Sequence, residues 1–118
     1  MPLEIREHSP GPASAEHFSQ VLREDPTART ALERAVAETG TGEEGWQALE
    51  GVFNARPVAL ALLHESPEGW SLHCLVVHPA TRGRGVGTDM IREALRRQPS
   101  LALPDSLASL AARAGSSG

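Results

Sequence analysis

The sequence has a single cysteine, no lysine and no tyrosine among its 118 residues. It also contains no apolar run close to the roughly 20 residues that a membrane-spanning helix requires. Cys74 on its own excludes an internal disulfide and is typical of a reducing compartment, so we expect a cytoplasmic protein. Because the first residues lack a basic segment followed by an apolar one, we expect neither a signal peptide nor membrane insertion.

The charge balance is acidic, with a net charge of −4, although all eleven basic residues are arginine. An acidic chain repels polyanions, which disfavours nucleic acid or an anionic membrane as the main partner. The stretch Arg82-Gly83-Arg84-Gly85 is too short to make the phosphate contacts that nucleic-acid binding needs. A length of 118 residues and a hydrophobic content of 40% indicate one globular domain over residues 1–118, with a frayed tail at 115–118.

The first part of the chain predicts one strand and two helices. Alternating apolar residues predict a strand at residues 3–8, which the Ser-Pro-Gly-Pro segment ends. Ser14 is a candidate cap for a short helix whose buried face would carry Phe18, Val21 and Leu22. Asp25-Pro26 is typical of a second helix start, with Asp25 as the cap.

The second part predicts three strands, a helix, a short strand and a last helix. The strands are expected at 47–53, 58–64 and 70–78, the helix at 86–97, the short strand at 100–103 and the last helix from Asp105. The strand-helix-strand order over the last part implies a parallel pair. The predicted fold class is therefore α/β (α+β), a mixed sheet with the order β-α-α-β-β-β-α-β-α.

A glycine-rich turn joins the apolar strand 70–78 to the helix at 86–97. Gly83, Gly85 and Gly87 let the backbone approach a ligand, and the first amides of the helix are donors at the positive end of its dipole. Arg82 and Arg84 add positive charge. The turn therefore indicates a site for an anionic group such as a pyrophosphate.

Two common phosphate-binding loops do not fit this turn. A P-loop requires Gly-Lys-Ser/Thr, which does not follow. A dinucleotide fingerprint requires a third glycine where Thr88 stands and an acidic residue about 20 positions later. Spacing excludes both.

The pattern Arg82-x-x-Gly85-x-Gly87, preceded by Val77-His78-Pro79 and followed by an apolar-faced helix, resembles the acetyl-CoA signature of the GNAT-type N-acetyltransferase superfamily. This resemblance implies that the turn holds the CoA pyrophosphate. It also implies that the preceding strand pairs with the pantetheine arm and directs an amide at the thioester oxygen. The implied cofactor residues are Leu75, Val76, Val77, Arg82, Gly83, Arg84, Gly85, Val86, Gly87 and Thr88.

The same resemblance raises the question of catalysis. Enzymes of this superfamily use a base to deprotonate the amine, and commonly a tyrosine to protonate the leaving thiolate, whereas this sequence has no tyrosine. His73 is a candidate base and Cys74 a candidate thiol donor. The alternative is that both are ordinary strand residues.

The sequence also ends at Gly118, without the C-terminal hairpin expected of the superfamily. This implies either that another subunit completes the acceptor pocket or that acceptor binding is not the task.

A narrower resemblance favours the second of these options, that acceptor binding is not the task of this protein. Phe53-Asn54-Ala55-Arg56, residues 72–77 and residues 81–87 are similar to the PanZ/PanM group of small GNAT proteins of pantothenate biosynthesis. That group binds acetyl-CoA, promotes maturation of aspartate decarboxylase and then inhibits it according to the acetyl-CoA level. His78-Pro79 departs from the group, which tends to have a basic residue directly after the valine.

The leading hypothesis is therefore an acetyl-CoA-binding regulatory sensor whose protein partner is aspartate decarboxylase. The alternative is an active N-acetyltransferase that acts on a small-molecule or protein amine, with His73 or a strand-bound water as the base. A homodimer through the exposed edge at 100–103 is a further possibility. His8, His17 and His64 show no metal-ligand spacing, so no metal is predicted.

Overall fold

The computed structural model describes residues 3–23, 25–40, 45–79 and 85–103. In chain order, the elements are β1 (Glu4–His8), α1 (Ser14–His17), α2 (Pro26–Gly40), β2 (Trp46–Phe53), β3 (Arg56–Ser66), β4 (Gly69–Val77) and α3 (Val86–Arg97). The predicted helix from Asp105 and the predicted tail at 115–118 lie outside the described residues. Neither α2 nor α3 combines the length and the apolar character that crossing a bilayer demands.

The described strands form one sheet in the order β1-β2-β3-β4, with every neighbouring pair antiparallel. The predicted short strand at 100–103 is reduced to an isolated parallel bridge between Ser71 and Ala102. Its orientation agrees with the expected parallel pair. The sequence explains its shortness, because Pro99 and Pro104 flank the segment and proline cannot donate to a ladder.

Helices cover both faces of the sheet and make two apolar cores. On one face, α2 and the segment after α1 pack against Leu60, Leu62 and Val76. On the other face, α3 packs against a second cluster that includes Leu49 and Leu63. Burial on two faces explains why β3 reads as an almost continuous apolar run rather than an alternating one.

The N-terminal helical region differs from its prediction. Ala13 is the N-cap of α1 and Ser14 its first residue, so Ser14 does not cap the helix. Instead, the Ser14 hydroxyl accepts a hydrogen bond from the Gly11 amide at 2.9 Å. Because α1 has only four residues, Phe18 and the apolar residues after it reach the core from turns. The Asp25 cap is confirmed: its Oδ1 accepts the amide hydrogen of Ala28 at 3.0 Å.

Gly51 allows α3 to rest on the centre of the sheet. A Cβ atom at this position would lie 3.1 Å from the Cβ of Ala59 and 3.1 Å from the sulfur of Met90. Opposite Gly51/Val52, Val58 is an extra residue without a partner on β2, and this β-bulge bends β3. The missing side chain therefore sets how closely α3 approaches the strands.

A two-residue turn, Asn54–Ala55, joins β2 to β3. Both residues have positive φ, 50° for Asn54 and 65° for Ala55, as the type I′ turn of a tight hairpin requires. Asparagine tolerates this conformation, whereas alanine is strained in it. Phe53 and Arg56 are paired across the turn and belong to the strands.

We expect Ala55→Gly to stabilise the protein by about 0.5–1 kcal/mol, because glycine relieves the left-handed strain at the cost of a more flexible unfolded chain. Urea denaturation measures this change. Ala37→Gly, on the exposed side of α2, is the matched control and should lower stability by about 1 kcal/mol. A neutral or destabilising Ala55→Gly would contradict the strain.

Candidate functional site

A β-bulge in β4 determines the chemistry of the candidate site. Leu62 pairs with Cys74 and Leu63 pairs with Leu72, so His73 is the extra residue with no partner on β3. A bulge of this kind breaks the normal alternation of a strand. Leu72 packs on the α3 face of the sheet, whereas Cys74 packs against the core on the α2 face. His73 contacts Trp46, which also packs on the α2 face. The two sequence-predicted catalytic residues are therefore brought to one face.

His73 and Cys74 line a cleft between β4 and α2 with a volume of about 380 Å³. The α2 side of this cleft is formed by Thr27, Thr30, Ala31 and Arg34. The cleft offers hydroxyl groups, an imidazole and a guanidinium around an apolar floor. Binding sites for small molecules commonly have this composition.

Aromatic contacts hold His73 in place. Its ring stands edge-on to Trp46, with 5.2 Å between the ring centroids, and His64 lies 6.5 Å away. The Arg34 guanidinium carbon is 5.6 Å from the centre of the Trp46 ring. Glu38 accepts hydrogen bonds from Arg34 Nε at 2.6 Å and from Trp46 Nε1 at 3.2 Å, so α2 anchors the group.

The environment of His73 favours its neutral form. Partial burial lowers the pKa of His73, and the positive charge of Arg34 and the proximity of His64 lower it further, whereas Glu38 opposes them. A neutral imidazole at physiological pH can accept a proton. His73 thus has the protonation state that a general base needs.

Cys74 has the opposite character. Burial raises the pKa of its thiol to about 12, and the negative charge of Asp25 adds to this effect. Because the thiolate is the nucleophilic form, such a thiol is inert at neutral pH. Cys74 is partly buried, where it packs against the core on the α2 face and lines the cleft.

The helix that follows the glycine-rich turn is confirmed over Val86–Arg97. Its N-cap, Gly85, has φ 78°, a left-handed conformation that suits glycine. Helical geometry leaves the amides of Val86, Gly87 and Thr88 without an acceptor inside the helix. Thr81, Arg82, Gly83 and Arg84 lie outside the described residues.

The start of α3 lies beside the end of β4. Val86 packs in the same cluster as Leu75 and Val77. Val76 is buried on the opposite face of the sheet. Because β4 is the last strand in the sheet order, the implied cofactor residues Leu75, Val76 and Val77 lie on a strand at the sheet border, next to a helix N-terminus.

The arginines of α3 make ion pairs along an exposed face. Arg92 Nη1 lies 3.0 Å from Asp89 Oδ1, and Arg96 pairs with Glu93. Arg97 pairs with Glu93 at 3.3 Å and reaches Glu7 on β1 at 3.7 Å.

Several residues of the site carry no signal in the sequence. Thr27, Thr30 and Arg34 occupy positions of α2 that periodicity marks only as its polar side. Trp46 and Glu38 meet through the hydrogen bond described above, across the α2–β2 connection. The bulge at His73 also leaves no pattern in the sequence, because it depends on the pairing register of β4 with β3.

A model of the acetyltransferase (GNAT) domain of the PanZ family matches residues 36–112. No curated protein sequence matches the chain. The matched range includes β2, β3, β4, the glycine-rich turn and α3, whereas the residues of α2 that line the cleft lie before it.

Solved structures show the same fold. A GNAT-family acetyltransferase from Desulfovibrio desulfuricans has a TM-score of 0.67 and 16% identity, over 81% of this chain and 65% of its own. An "IAA acetyltransferase" from Bacillus cereus has a TM-score of 0.67 and 16% identity, over 95% of this chain and 75% of its own. A GNAT acetyltransferase from Brucella melitensis, solved with acetyl-CoA, has a TM-score of 0.62 and 19% identity over 81% and 68%. The chain thus spans about two thirds of the length of the first of these proteins.

We expect Cys74 to react with a thiol reagent roughly a thousandfold more slowly in the native protein than in the unfolded chain near pH 8, because its thiol pKa is about 12 rather than 9.0. The rate should keep rising with pH above pH 9. Colour development with a disulfide reagent, with and without denaturant, measures both. Native labelling at the unfolded rate would contradict the assignment of Cys74 as a partly buried, protonated thiol.

Proposed function

The chain belongs to the PanZ family of acetyltransferase (GNAT) domains, and on that premise we propose that it binds acetyl-CoA and acts mainly as a regulatory sensor. The partner in this proposal is the aspartate decarboxylase of pantothenate biosynthesis. The observation that carries the binding step is the placement of the α3 N-terminus, with its left-handed Gly85, beside the end of β4.

In the proposed complex, the CoA pyrophosphate binds the first amides of α3. Gly85, Val86, Gly87 and Thr88 supply these donors, and an anion at this end of a helix also meets its positive dipole. The sequence motif assigns three further residues to the pyrophosphate cradle, namely Arg82, Gly83 and Arg84. The pantetheine arm lies along Leu75, Val76 and Val77 at the border of the sheet.

The sensor role is supported by the chemistry of the two candidate catalytic residues. Cys74 is disfavoured as a donor because of its high thiol pKa. No tyrosine occurs in the sequence to protonate a leaving thiolate. The family match is to PanZ, and the resemblance to that group implies that acetyl-CoA binding is coupled to a protein partner.

A second function, acetyl transfer to an amine, is favoured by His73. Its imidazole is neutral at physiological pH and faces a cleft that also presents Arg34 and two threonine hydroxyls. In this alternative, His73 accepts the ammonium proton and frees the amine for attack on the thioester. The cleft between α2 and β4 then holds the acceptor.

Acetyl-CoA should raise the melting temperature of the wild-type protein by several degrees, because a ligand that binds only the native state stabilises it. Arg82→Ala should weaken this shift, since it removes a charge from the proposed pyrophosphate cradle. Arg23→Ala, at an exposed position outside the cradle, is the matched control and should respond like the wild type. No shift at saturating acetyl-CoA would overturn the proposed cofactor.

Sensor and enzyme are separated by two further measurements. We expect thiol release from acetyl-CoA at the background rate across a panel of amines, and faster maturation of purified aspartate decarboxylase proenzyme when the protein and acetyl-CoA are both present. Turnover that His73→Gln abolishes, with acetyl-CoA binding retained, would instead establish the acetyltransferase. Clear turnover together with no effect on the proenzyme would end the sensor proposal.

A further inference from the structure

A second group of polar side chains lies at the opposite border of the sheet. His8 on β1, His17 on α1 and Glu50 on β2 each offer one ligand atom, and these atoms all lie within 4.8 Å of one another. The spacing of these residues along the chain gives no metal motif, because Glu50 is 33 positions beyond His17. Only the fold brings the three together.

The two imidazole rings are held in a fixed arrangement. His8 and His17 stack with 5.3 Å between centroids and an angle of 6° between their planes. Phe18, which is fully buried, packs edge-on against both rings at 4.9 and 4.8 Å. A buried aromatic side chain thus positions both histidines, which reduces the ordering cost of binding an ion between them.

Glu50 provides a buried carboxylate in its charged form. Its side chain is only 4% exposed, and Arg6 Nε donates to Oε1 at 3.0 Å. Its other oxygen, Oε2, contacts His17 Nε2. Burial acts to raise the pKa of Glu50, but the hydrogen bonds from His17 and Arg6 outweigh it and leave the pKa below its usual range. Arg6 therefore orients the carboxylate so that Oε2 faces the histidine.

His8 is held ready to act as a ligand. Burial lowers its pKa, despite the opposing charge of Glu50, so the imidazole is neutral at physiological pH. Ser14 Oγ lies 2.9 Å from His8 Nε2 and also accepts the Gly11 amide hydrogen. The Ser14 hydroxyl can therefore donate its own hydrogen to Nε2, which leaves Nε2 unprotonated. A cation that binds Nε2 replaces this hydrogen bond, and the hydroxyl then lies beside the ion as a polar neighbour.

We propose that His8, His17 and Glu50 form a binding site for a divalent transition-metal ion, of which Zn²⁺ is the best fit. Two imidazole nitrogens and one carboxylate oxygen are ligands that Zn²⁺ takes at about 2.0–2.2 Å, with a water in the fourth position. The His17 side chain is 37% exposed, which provides a route of entry from solvent.

The geometry needs a modest rearrangement to coordinate the ion. Tetrahedral ligands at these bond lengths stand about 3.4 Å apart, so His17 Nε2 must move away from Glu50 Oε2, which it now contacts, to admit the ion. His17 is exposed and lies at the end of a four-residue helix, so it is the ligand with the most freedom to move. The positive charge of Arg6 opposes a dication, so we expect weaker binding than at a structural zinc site.

An ion at this position would tie β1, α1 and β2 together. The sheet order places β1 and β4 on opposite borders, three strand spacings or about 14 Å apart. The metal would therefore stabilise the N-terminal part of the fold without touching the proposed acetyl-CoA site. The proposed metal site does not depend on whether the acetyl-CoA proposal is correct.

The test uses the full chain without an oligohistidine tag, after treatment with a chelator. Co²⁺ should produce visible absorption bands of a nitrogen- and oxygen-coordinated ion, and Zn²⁺ should raise the melting temperature, whereas Mg²⁺ should not. His17→Gln should weaken Zn²⁺ binding at least tenfold, as should Glu50→Gln. Binding should decline below about pH 6, because protons compete for the imidazoles.

His64→Gln is the matched control, since this histidine packs on Trp46 outside the cluster and should leave metal binding unchanged. His17→Gln alters a half-exposed side chain and is the variant expected to fold normally. The Co²⁺ spectrum of the wild-type protein needs no variant at all. Absence of Co²⁺ bands at millimolar metal, or equal Zn²⁺ shifts in wild type and His17→Gln, would overturn the site and leave a purely hydrogen-bonded ion-pair network.

Discussion

Burial of β3 on both faces is the constraint on which the described structure depends. From Val58 to Leu63 every residue of this strand is buried, so each face of the sheet requires a helical cover. The segment after α1 and helix α2 supply one cover, and α3 supplies the other. Gly51 lets Met90 of α3 approach the sheet, and that approach in turn places the N-terminus of α3 beside the end of β4. The position of the candidate anion site thus follows from core packing.

The bulge in β4 places His73 on the face of the sheet where the candidate cleft lies. Without the extra residue, His73 and Cys74 would alternate between the two faces, as strand residues do. With it, the imidazole contacts Trp46 and lines the α2 cleft with Arg34, and the partly buried Cys74 packs against the core on the same face. The same geometry gives the two residues different chemistry: His73 is a neutral imidazole with access to the cleft, and Cys74 is a protonated thiol in an apolar environment.

The two borders of the sheet have different functional potential. The β4 border offers backbone donors, a helix dipole and a cleft, which suit an extended anionic cofactor. The β1 border offers two imidazoles and a carboxylate that Phe18 and Arg6 hold in position, which suits a small cation. A protein built in this way can be stabilised at one border and bind its ligand at the other, because β3 lies between β2, which carries Glu50, and β4.

Local patterns in the sequence determined the features that depend on neighbouring residues. These include the limits of α3, the Asp25 cap, the hairpin between β2 and β3, and the glycine-arginine motif that resembles the acetyl-CoA signature. Tertiary structure alone decided the extra residue at His73, the shortness of α1 and the meeting of His8, His17 and Glu50. The physical reason is that register and burial are set by partners distant in the chain. Whether a polar side chain becomes a ligand, a base or an inert core group depends on those partners.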